Sequence, residues 1–78
     1  MNEKLRLALI DVEQELCQVS NKYPAFHSPH EGYAVLLEEV EELKSEIFCN
    51  PITRSPAAMR AEATQVAAMA LRFIMDLC

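Results

Sequence analysis

At 78 residues with 51% apolar side chains, the chain is long enough for one domain, 1–78, and too hydrophobic to remain disordered. A formal charge of −5 argues against a nucleic-acid binder, which neutralises phosphates with clustered Lys and Arg, so a phosphate-bearing ligand is expected to arrive with a divalent cation. Cys17, Cys49 and Cys78 form no C-x-x-C pair and their odd count closes no disulfide framework, so reduced thiols in a cytoplasmic setting are expected.

The apolar periodicity predicts three helices and an all-α fold. Leu5, Leu9, Val12, Leu16 and Val19 form one stripe on a first helix of roughly residues 2 to 21, with Asn2 as its N-cap. Asp11, Glu13 and Glu15 interrupt what would be the apolar part of a signal peptide. Pro24, Ser28 and Pro29 break the pattern between Lys22 and Pro29, which reads as a loop. Ser28 then reads as an N-cap, Pro29 as the first helical residue and Glu31 as the partner in a capping box. Tyr33, Leu36, Leu37, Val40, Leu43 and Ile47 mark the buried stripe of this second helix, which should end near Cys49.

Ser55-Pro56 opens a third helix in the same way, with Met59, Ala63, Val66, Ala70, Phe73 and Leu77 as its core face. Its alanines make it thin enough for close approach by another helix. The stretch Val66 to Leu71 is far shorter than the roughly 20 residues that span a bilayer, so no membrane partner is expected. So short a chain buries little surface, and a homo-dimer or homo-tetramer forming a helical bundle is expected to complete the core.

The second helix carries Glu38, Glu39, Glu41, Glu42 and Glu46, a density that like-charge repulsion should disfavour unless something offsets it. An acidic run is commonly only a solvated face. Here, however, Glu39, Glu42 and Glu46 fall within about 60° of one another beside the apolar stripe, and Glu62 and Gln65 lie one turn apart on the third helix. Two packed helices would bring Glu39, Glu42, Glu62 and the Gln65 amide oxygen to one spot. Such an all-oxygen set suits a hard cation, Mg²⁺ or Mn²⁺.

The run Glu38-Glu39-Val40-Glu41-Glu42 followed by Glu62-Ala63-Thr64-Gln65 resembles the E-E-x-x-E…E-x-x-D signature of MazG-like nucleoside triphosphate pyrophosphohydrolases. The stretches Tyr23 to Tyr33 and Gln65 to Ala70 resemble the short phage- and mobile-element-borne members. The resemblance implies Mg²⁺-dependent hydrolysis of a nucleoside or deoxynucleoside triphosphate to the monophosphate and pyrophosphate. It implies metal ligands at Glu39, Glu42, Glu62 and Gln65, the last standing where the family has aspartate. Either Glu38 or Glu39 would accept the proton of the attacking water.

Lys44, Arg54, Arg60 and Arg72 are candidate phosphate contacts. His27 and His30 lack a cysteine at zinc-ligand spacing and read as loop histidines lining a nucleotide pocket. Tyr33 reads as core, whereas Phe26 is open between core and base stacking. The competing readings are a non-catalytic helical oligomerisation module with a merely solubilising acidic stripe, and a nucleotide-binding module without turnover.

Overall fold

The structure, a computed structural model, describes residues 2–78 and is all-helical: α1 is Glu3–Lys22, α2 is Pro29–Ile47 and α3 is Pro56–Leu77, with no strand among the described residues. Each helix starts where a side-chain oxygen takes up a backbone N–H that the first turn leaves free. Asn2 Oδ1 accepts from Leu5 N at 2.7 Å, Ser28 Oγ from Glu31 N at 3.1 Å and Ser55 Oγ from Ala58 N at 3.2 Å.

One local expectation is corrected. The Glu31 carboxylate does not close a capping box on the Ser28 N–H. It accepts from His27 N at 2.9 Å, one residue earlier, where the imidazole Nδ1 lies 3.4 Å from its other oxygen and draws the carboxylate past the serine. The second helix ends at Ile47, close to the expected Cys49, and Asn50 then builds a turn: its side chain accepts from Ile52 N and its carbonyl from Thr53 N, both at 2.9 Å.

The central element is α3. Both α1 and α2 pack on it, and among the described residues they do not pack on each other. Asp11 meets Arg60, while Phe26, just past the end of α1, meets Asp76, so α1 runs parallel to α3. Antiparallel α2 brings Gly32, near its start, against Phe73 and Leu77, near the end of α3. A Cβ on Gly32 would come within 2.7 Å of Phe73 Cδ2 and 2.9 Å of Leu77 Cδ1, so the glycine permits this close approach. The result is a flattened body of 40 × 30 × 20 Å.

Phe26, Ala68 and Met69 form the buried core, with Val12, Leu16, Val19, Val35, Leu36, Phe73 and Leu77 packed around them. The predicted α1 stripe therefore serves at its C-terminal half. Asp11 is level with Arg60, only one turn into α3, so Leu5 and Leu9 lie alongside or beyond the first turn of α3 and stay half exposed. In α2 the expected stripe is wider than a single neighbour can cover. Leu36 packs inward with Val35, whereas Leu37, Val40 and Ile47 remain exposed.

Tyr33, expected in the core, is 62% exposed, because Gly32 and not its neighbour faces α3. The buried face of α3 is also turned from the predicted one. It centres on Ala68, Met69 and Arg72, and Ala63 is exposed, since two flanking helices cover a different arc from the one an isolated amphipathic stripe suggests. Phe26 belongs to the core. No helix of the described residues is long and apolar enough to cross a membrane, and all three cysteines are unpaired.

Truncating Met69 to alanine removes one of the two large side chains of this small core and should cost about 2–5 kcal/mol. Thermal or urea unfolding checks this against Ser20→Ala on the exposed face of α1, which should change stability by less than about 0.5 kcal/mol.

Candidate functional site

The antiparallel packing of α2 on α3 sets Glu39 and Glu42, one turn apart, beside Glu62. One carboxylate oxygen from each lies within 4.8 Å of the other two. Glu39 and Glu62 are half-buried and Glu42 is exposed. The Oε2 atoms of Glu39 and Glu62 are withdrawn from solvent and have no hydrogen-bond partner. A buried polar oxygen without a partner is costly, more so when charged.

That cost appears in the proton affinities. Burial and the neighbouring Glu42 carboxylate, then Glu62 and Glu15, push the Glu39 carboxyl up to about 7. Burial followed by Glu42 and Glu46 raises Glu62 as well. Outside the cluster the sign reverses. The hydrogen bonds from the His27 backbone and ring hold exposed Glu31 below the usual carboxylate range.

Glu39 also opens onto a cleft of about 460 Å³, within the size range of small-molecule pockets. The cleft exists because α1 and α2 stand apart over α3. Glu15 and Val19 of α1 form one side, and Val35, Glu38 and Glu39 of α2 the other. Gln65, Met69 and Arg72 make the floor, and the 23–27 loop closes one end with Tyr23, Phe26 and His27.

The predicted site residues thus divide. Glu39, Glu42 and Glu62 converge, and Glu38, Glu39, Gln65, His27 and Arg72 share the cleft. Lys44 is exposed in the last turn of α2, Arg54 is exposed in the second loop, and His30 is exposed in the first turn of α2; none of them lines the cleft. Arg60 lies on the far side of α3, its guanidinium 2.9 and 3.1 Å from Asp11 Oδ2. Arg72 is no surface cation. It is 6% exposed, stacked on Phe26 and paired with Asp76.

Two participants escaped the sequence reading. Glu15 borders the Val12, Leu16 and Val19 stripe, a position that could have marked it as facing a groove. Asp76 lies one turn beyond Arg72, the spacing of a helical ion pair. Tyr23, the first residue of the loop stretch that carries the resemblance, lines the cleft as well. The three converging carboxylates, with the Gln65 amide on the adjoining floor, are an oxygen set chemically suited to a hard divalent cation. Compared with models of known protein families, with curated proteins and with solved structures, the chain matches none.

Because the folded-state affinity of Glu39 for its proton exceeds that of the unfolded chain, its contribution to stability is present below pH 4.5 and is lost as pH rises through about 7. The thermal midpoint of the protein in EDTA should therefore fall from about pH 5 to about pH 8, and Glu39→Gln should remove most of that fall. An equally steep profile in the variant would show that the cost resides elsewhere.

Proposed function

We propose that this chain is a Mg²⁺-dependent nucleoside triphosphate pyrophosphohydrolase that cleaves between the α- and β-phosphates, Mn²⁺ serving as a substitute. The observation that carries this reading is the pair of solvent-shielded, partnerless oxygens on Glu39 and Glu62, within a three-carboxylate cluster whose Glu39 lines a nucleoside-sized cleft. Crowded carboxylates with unsatisfied oxygens are what a hard cation would neutralise, and their oxygen chemistry fits it.

Glu39, Glu42 and Glu62 would hold the ion, with the Gln65 amide oxygen as a neutral fourth ligand. When bound, the cation supplies charge neutralisation for the triphosphate and acidifies the attacking water. Glu38 at the cleft rim, or Glu39, takes the proton from that water. The cleft seats the nucleoside beside the cluster, with His27 at its wall. The work is nucleotide-pool housecleaning in the cytoplasm, performed by a homo-dimer or homo-tetramer.

A second reading has its own support. Leu37, Val40, Phe48, Ile52, Ile74 and Met75 are exposed, Phe48 at 78% and Ile52 at 91%, which suits a module that acts by pairing with other subunits. The two readings part on divalent-ion dependence.

Pyrophosphate release from a panel of (d)NTPs should require Mg²⁺, stop in EDTA and fall roughly 100-fold or more in Glu42→Ala, because several kcal/mol of charge stabilisation are lost. No release from any nucleotide would favour the pairing module. Gln65→Asp restores a negative ligand and should raise activity or metal affinity. In parallel, Mg²⁺ at pH 8 should raise the thermal midpoint of the wild type and not that of Glu62→Gln, by the linkage of binding to folding.

A further inference from the structure

Arg72 is the buried charged residue of the described chain, and its surroundings are specific. Its guanidinium carbon lies 4.3 Å from the centre of the Phe26 ring and it donates a hydrogen bond to the Pro24 carbonyl. Its Nε is 3.6 Å from Asp76 Oδ2. That same Asp76 oxygen accepts from Phe26 N at 3.0 Å. The cation thus holds a loop carbonyl, the anion holds a loop N–H, and each holds the other.

The next amide along is secured from the opposite side, since His27 N donates to Glu31 of α2. Two successive N–H groups of one loop are therefore given to carboxylates from two different helices. This is the loop that closes the end of the cleft. Burying an ion pair seldom adds stability beyond that of an apolar pair of the same size. What charges provide and a hydrophobic pair cannot is directional hold on both a donor and an acceptor of the backbone.

We propose that Arg72 and Asp76 form a latch that fixes the 23–27 loop as the wall of the cleft, making both of them positioning residues for the nucleotide bound there. The nucleotide part rests on the function proposed above; the latch does not. Arg72 acts through Phe26 and Pro24, and its planar guanidinium is required both to stack on the ring and to reach the carbonyl. Lysine at this position keeps the charge and loses the stack. Asparagine at position 76 keeps an acceptor for Phe26 and loses the charge.

The test reads the loop and the ligand separately. In the ligand-free 78-residue protein, Asp76→Asn and Arg72→Lys should each speed hydrogen exchange at the amide of position 26 by about tenfold, the scale of removing the charge assistance from the hydrogen bond that holds it. Phe26→Leu, which keeps apolar bulk without the ring, should do so to a smaller extent and serves if another variant fails to fold. Both charge variants should weaken binding of a non-hydrolysable α,β-imido nucleotide with Mg²⁺ by similar factors, and the double variant should be little worse than either. Unchanged exchange at position 26 in the charge variants would overturn the latch. Intact nucleotide binding in Asp76→Asn beside weakened binding in Arg72→Lys would overturn positioning in favour of direct contact by Arg72. A wild type that binds no nucleotide would overturn the nucleotide reading, while the exchange data would still decide the latch.

Discussion

α3 has to present two covered faces at once, because α1 and α2 each pack on it and not on one another. A helix flanked on both sides is best served by small side chains, and Ala68, fully shielded from solvent, sits where bulk would force a neighbour away. The same constraint opens the space between the outer helices. Side chains of all three helices pack around Met69 at the base of that space, and beside them the gap over α3 remains a cleft with carboxylates on both sides.

That arrangement explains why Glu39 does not turn out into solvent as Glu38, Glu41 and Glu42 do. Packing against α3 holds Glu39 and Glu62 partly out of water, where their charges are costly, and the cluster takes up protons more readily in consequence. The folded chain thus carries stored electrostatic stress at one location. Its core of Phe26, Ala68 and Met69 is small for such a load, so packing around Met69 and the relief of the carboxylates bear on one stability.

Much of the fold was legible in the sequence because it is written in local chemistry. The two Ser-Pro pairs and Asn2 each supply an oxygen for a free N–H at a helix start, and such signals need no tertiary context. Glu39 and Glu42 share a face by helical spacing, and Glu62 joins them once α2 and α3 pack side by side. Tyr33, Arg72 and Phe26 could not be assigned that way. Periodicity defines a stripe, but which part of it is covered depends on the angle at which another helix arrives, and Gly32 moves the contact of α2 away from Tyr33. Burial of Arg72 depends on a partner one turn on and on a loop 48 residues earlier, a pairing that no window along the chain contains.

The directions of the helices carry a consequence for the field inside the molecule. With α1 and α3 parallel, their C-terminal ends lie near each other at the loop end, and each contributes roughly half a negative charge from its free carbonyls. The N-terminus of antiparallel α2 brings about half a positive charge to the same end, which leaves the backbone there electron-rich. Lys22 in the last turn of α1 and Arg72, which also neutralises Asp76, answer the negative ends of α1 and α3, while Glu31 in the first turn of α2 answers the positive end.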